Sequence, residues 1–130
     1  ILKIMDYLDK IFLWLGVTSK SQKQFDEYFE LDYSEDIDNR KICGFCKDIG
    51  KKWYDEDFIG YLRFNEELTV LAILKEVPIS ENDKNKVLDN CKDLGIEFVN
   101  SVYWYSGEIE VPSKDKKYNE LFYIGEYSLD

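Results

Sequence analysis

Cys43-Gly-Phe-Cys46 is the arrangement in this chain most suggestive of chemistry, because a C-x-x-C can serve disulfide exchange or metal binding. In a redox site the first cysteine follows a strand and sits at a helix N-terminus, which lowers its thiol pKa. Here Asp36 and Asp38 lie upstream, and nearby acids are predicted to raise that pKa. Neither proline, Pro78 or Pro112, has an evident place beside such a site. A zinc site would need a carboxylate to complete Cys43, Cys46 and Cys91, since the chain has no histidine. The three cysteines therefore read as small buried residues on helices. The lack of histidine also removes Ser–His and Cys–His nucleophile pairs and histidine general bases.

Carboxylates offer two further constellations. Asp55-Glu56-Asp57, beside Trp53 and Tyr54, has the composition of a metal or acid–base pocket and supports the alternative of a small metal-dependent enzyme or metal-binding protein. Asp32, Glu35, Asp36 and Asp38 resemble calcium ligands in type, but the fixed calcium-loop spacing, with its central glycine and terminal glutamate, is absent. Both groups read first as a solvated acidic face. That reading leaves the interleaved rings of Tyr33, Trp53 and Tyr54 without a role, and aromatic anchors inside a charged rim are what protein-binding patches use. The seven glycines are scattered, so there is no phosphate-binding loop, and G-x-S-x-G is absent. No cofactor, metal or catalytic residue is predicted.

Twenty-seven acids against 17 bases give a net charge of −10, which argues against binding nucleic acid or an anionic membrane surface. It favours a basic partner, whose encounter rate complementary charge would raise. With 45% apolar and 16% aromatic residues, 130 residues suffice for one domain with a core of its own. Ile1 to Lys10 is broken by Lys3, Asp6 and Asp9 and holds no apolar stretch of signal-peptide length. A cytoplasmic protein with reduced thiols is expected.

The elements that must position these residues are legible in part. Ile11-Phe-Leu-Trp-Leu-Gly16 suits a buried strand. Ser21-Gln-Lys-Gln24 has the form of a capping box, and Phe25, Tyr28 and Phe29 give the following helix, to about Glu30, an aromatic face. Asp26 to Asp38 holds seven acids and no base, its later half an exposed loop. Ile42, Phe45, Cys46 and Ile49 return to helical spacing before a capping Gly50. Phe58 to Phe64 reads as a strand, whereas Glu66 to Glu76 fits helix or strand, its opening glutamates favouring helix. Ser80 starts a helix that stops at Gly95, and Ile96 to Tyr105 is a strand with Phe98, Val102 and Trp104 on one face. Pro112 to Lys117 is turn material, and Leu121 to Tyr127 is a last strand antiparallel to Ile96–Tyr105. The sum is an α+β domain of about four mainly antiparallel strands with three to four helices packed on one face.

Three of these pieces together resemble the immunity protein 22 family of bacterial polymorphic-toxin systems. They are Ile11 to Gly16, Phe25-Asp-Glu-Tyr-Phe-Glu-Leu-Asp-Tyr33, and Phe45-Cys-Lys-Asp-Ile-Gly-Lys-Lys-Trp-Tyr-Asp-Glu-Asp-Phe58; the helix ending at Gly95 and Tyr-Ile-Gly125 are consistent with them. The third piece is the most specific. The resemblance implies an α+β fold and a non-enzymatic role, neutralising a toxin secreted by the same lineage, and it implies no catalytic residues. It covers about Ile11 to Tyr127, so residues 1–10 are expected to be an N-terminal extension and residues 11–130 a single domain. The expected partner is a cognate toxin with a basic active-site cleft, such as a nuclease has. The expected contact region is Asp32, Tyr33, Glu35, Asp36, Asp38, Trp53, Tyr54, Asp55, Glu56 and Asp57.

Overall fold

The computed structural model describes residues 9–130. Its elements run β1 (Lys10–Gly16), α1 (Gln22–Glu27), α2 (Gly44–Ile49), β2 (Ile59–Thr69), α3 (Val70–Leu74), α4 (Glu81–Asp93), β3 (Phe98–Tyr105), β4 (Lys117–Tyr118) and β5 (Leu121–Ser128), with 3-10 turns at Ile37–Asn39 and Glu56–Phe58. The five strands form one antiparallel sheet in the order β2-β3-β1-β5-β4. The α+β class therefore holds, with one strand more than expected. Lys117–Tyr118, which begins on the last residue of the stretch read as turn material, supplies that strand. Of the expected N-terminal extension, residues 1–8 lie outside the described residues. Lys10 pairs with Ser128, and the Asp9 carbonyl accepts from the Leu129 N–H.

β1 takes the centre of the sheet because its five consecutive apolar side chains need cover on both faces. Ile11, Leu13 and Leu15 face one core, and Phe12 and Trp14 face the other. Burying each is worth roughly 1.5–3 kcal/mol, which an edge position would forfeit in part. β3 alternates in the same way, with Val102 in the first core and Tyr103 and Tyr105 in the second. This corrects the expectation of helices on a single face. α3 and α4 cover the aliphatic core through Val70, Ile73, Leu74, Val87 and Cys91, while α1 and α2 cover the aromatic core through Phe25, Phe45 and Cys46. It also corrects the pairing of the last strand. β1 lies between β3 and β5, so those two run in the same direction.

The uncertain stretch from Glu66 to Glu76 is both elements in succession. β2 extends to Thr69, whose hydroxyl then accepts the Ala72 N–H at 3.2 Å and caps α3. Val70, Ile73 and Leu74 point inward at helical spacing, and Leu71 is exposed. The β4–β5 hairpin turns on Asn119 and Glu120, both with positive φ (55° and 70°), the backbone of a two-residue hairpin turn. Glutamate is an unusual occupant there. Its carboxylate accepts from the Thr18 hydroxyl at 2.7 Å and the Ser19 N–H at 3.1 Å, while Asn119 donates to the Phe25 carbonyl, so the turn is fastened to the β1–α1 loop and to α1. Among the described residues no helix is long and apolar enough to cross a membrane.

Candidate functional site

α1 begins at the expected capping box, with Ser21 accepting from the Gln24 N–H and the Gln24 side chain accepting in return. It ends sooner than expected, at Glu27, because Phe29 and Glu30 close 3-10 turns onto Asp26 and Glu27. That tightening turns Phe29 into the aromatic core and sends the chain outward into the acidic loop.

Asp32 organises the loop. One carboxylate oxygen accepts the Ser34 N–H at 2.9 Å and the other the Lys41 N–H at 2.8 Å, so a single side chain ties both ends together. These bonds, that from Lys41 foremost, hold its pKa below the ordinary carboxylate value. Within the loop Asn39 donates to Asp36 at 2.6 Å, and Arg40 Nε donates to the Ser34 carbonyl at 2.7 Å. The loop is thus a self-bonded unit, and Glu35, Asp36 and Asp38 are exposed on it.

Tyr33 is 62% exposed and Trp53 40% exposed, and the two rings meet edge to face at 5.2 Å. The Arg40 guanidinium lies over the Trp53 ring at 5.6 Å. This contact joins the 32–38 loop to the Trp53–Asp57 segment, which are separate in sequence. Asp55 caps the following 3-10 turn by accepting the Asp57 N–H at 3.0 Å, and its own N–H is held by the Tyr105 hydroxyl at 3.0 Å. Asp55, Glu56 and Asp57 are exposed.

Tyr54 does not belong with them. It is 3% exposed, its ring stands edge-on to Phe45 at 5.1 Å, and its hydroxyl donates to the Phe29 carbonyl. A side chain so placed is part of the aromatic core, which corrects its expected contact role.

Sequence reading missed Tyr61. On edge strand β2 it stacks on Phe29 at 4.1 Å while remaining part-exposed. Burial, then the carboxylates of Asp26, Glu56 and Glu30, push its hydroxyl pKa up. Those acids come from α1, from the 3-10 turn that follows it and from the turn after Asp55, so the acidic surface extends past the Trp53–Asp57 segment to a third ring. Nothing in the strand pattern of Phe58 to Phe64 marks Tyr61 as different from its neighbours.

The metal readings find no geometry. Among the described residues, no group of three or more Cys, Asp or Glu is placed to hold an ion. Cys91 lies in the aliphatic core across the sheet from Cys43 and Cys46, so the three cysteines cannot share a ligand sphere. All three are free and buried, as expected of small core residues. The expected direction of the Cys43 pKa is reversed. The hydrogen bond with Cys46 lowers it, outweighing the opposing effect of burial, with further help from backbone N–H groups.

No curated protein and no solved structure matches the chain. The Immunity protein 22 family does, over residues 11–130, and the chain belongs to that family.

Proposed function

We propose that this immunity-family protein binds a cognate bacterial toxin domain and neutralises it by covering a basic active-site cleft, of the kind a nuclease presents. The docking face centres on Tyr33 and Trp53. Asp32, Glu35, Asp36 and Asp38 rim it on one side, and Asp55, Glu56 and Asp57 on the other. The observation that carries this reading is the exposed Tyr33–Trp53 contact, which unites two acidic segments on one surface. Monomeric proteins leave single apolar side chains exposed without consequence, but two rings packed on each other within an acidic rim form a unit suited to anchoring a partner. The net charge of −10 supports the same partner chemistry by steering a basic domain towards the protein. Arg40 over Trp53 fixes the ring without neutralising the rim, where acids outnumber it.

Co-expression in bacteria with the toxin encoded beside this protein tests the function. Growth should be rescued by the natural protein and lost again with Tyr33→Ala/Trp53→Ala. Killing that persists in the presence of the natural, folded protein would refute neutralisation of that toxin.

A further inference from the structure

A docking face gives Cys43 and Cys46 no role. Their sulfur atoms lie 3.1 Å apart, and Cys43 Sγ also accepts the Cys46 N–H at 3.3 Å. Closing that gap to the roughly 2 Å of a disulfide needs about 1 Å of movement. The two thiols differ in access. Cys46 is fully buried in the aromatic core, whereas Cys43, at the start of α2, lines an open cleft of ≈ 640 Å³ between the acidic loop and α1. A first sulfur on a residue at the cleft wall, 8% exposed, backed by a second with no exposure, is the arrangement required for attack followed by resolution.

We propose that Cys43 and Cys46 are a reversible dithiol–disulfide pair that exchanges with small disulfides entering through this cleft. The Cys43 thiolate attacks one sulfur of R–S–S–R, the S–S bond breaks, and RS⁻ leaves. Cys46 then loses its proton and attacks the Cys43 sulfur of the mixed disulfide, expelling the second RS⁻. The protein dithiol gives up two electrons and two protons, and the small disulfide becomes two R–SH.

Ionisation favours this order of events. The hydrogen bond with Cys46 lowers the Cys43 pKa and so raises the share of thiolate available for attack. That same bond, ahead of burial, raises Cys46; the bond's share disappears once Cys43 carries the adduct, while the share from burial stays. Burial pushes the Cys91 thiol up to about 12, which leaves it unreactive. The cleft also selects. Glu27, Glu30 and Asp32 line it against the single cation of Lys41, so a cationic disulfide such as cystamine should react faster than anionic glutathione disulfide.

The full-length protein treated with cystamine at pH 7 provides the test, read by intact mass and by thiol count after denaturation. The natural protein should lose two of three thiols and carry no adduct, at a rate at least about tenfold above that with glutathione disulfide at low salt. Cys46→Ser should accumulate one cysteamine adduct on Cys43, and Cys43→Ser should react at least about a hundredfold more slowly. Retention of all three thiols by the natural protein, or a stable single adduct on it, would overturn the proposal without reference to either variant. Equal rates for the two variants would overturn the assignment of Cys43 as the attacking thiol.

Discussion

Trp53 stands on the surface against Tyr33, whereas its neighbour Tyr54 turns its ring into the core and donates its hydroxyl to the Phe29 carbonyl, so substitutions at this pair should separate binding from folding. Trp53→Ala is expected to change stability by no more than about 0.5 kcal/mol, as for other surface positions, while weakening toxin binding. Tyr54→Phe should cost about 1–3 kcal/mol in urea unfolding, because it strands a buried carbonyl, and should leave binding unchanged. The reverse pattern would place the docking face elsewhere. The residue types of this pair were legible in the sequence, but their orientation was not. Trp53 to Asp57 lies outside regular structure, so no period of 2 or 3.6 fixes which ring points inward. Trp14 shows the opposite case, a side chain whose burial on the central strand follows from the apolar run around it. It stacks on Tyr103 at 4.5 Å and touches Phe45 edge-on at 5.8 Å. Trp14→Ala should cost about 3–5 kcal/mol by the same measurement, and a cost under about 1 kcal/mol would contradict its place at the centre of the aromatic core.

At the level of elements, junctions held by one polar side chain are the informative places. Asp83, in the first turn of α4, accepts the Ser128 N–H of β5 at 2.6 Å and pairs with Lys86 at 3.2 Å. The bond from Ser128, first among its causes, lowers its pKa below the ordinary 3.8. A carboxylate with a depressed folded pKa contributes stability that is complete above the ordinary value and is lost as pH falls through the folded one. Asp83→Asn should therefore be less stable than the natural protein at pH 7, and the difference should shrink on acidification below about pH 4. A difference independent of pH would show that the charge at Asp83 does not matter. Helix boundaries were read correctly where they obey local rules, as at Ser21 with Gln24 and at Gly50 and Gly95 with their positive φ, and Ser80 does start α4, although its side chain makes no capping bond. The β4–β5 turn escaped notice because Asn119-Glu120 lacks the glycine that usually announces such a turn, and its fastening to Thr18 and Ser19 is non-local. The helix-or-strand ambiguity of Glu66 to Glu76 had a physical cause: the boundary at Thr69 divides an apolar stretch whose two halves are buried by different geometry.

For the molecule as a whole, the apolar alternation of β1 and β3 demands two cores, and that demand fixes the placement of everything else. α3 and α4 take the aliphatic face, and α1 and α2 take the aromatic one. The acidic loop, leaving α1 and returning to α2, emerges on the aromatic side, where it meets Trp53. The α+β class was legible because the strands and helices each carry their own period, but the two-sided layering depends on β1 being inserted between β3 and β5, which no local signal reveals. The net charge of −10 acts at this scale too, by steering. Glu35→Lys and Asp57→Lys leave the turn-forming carboxylates of Asp32 and Asp55 in place. Combined, they should slow association with the toxin at least about tenfold at low salt, with the gap closing at high salt. Association rates equal at both ionic strengths would remove electrostatic steering from the mechanism.

The central claim, that Tyr33 and Trp53 anchor a toxin within an acidic rim, is tested most directly by dissociation kinetics on the purified cognate toxin domain. Tyr33→Ala/Trp53→Ala should leave the complex at least about thirtyfold faster than the natural protein, the loss of an anchor worth about 2 kcal/mol or more. A double variant that stays folded and dissociates at the natural rate would contradict the account.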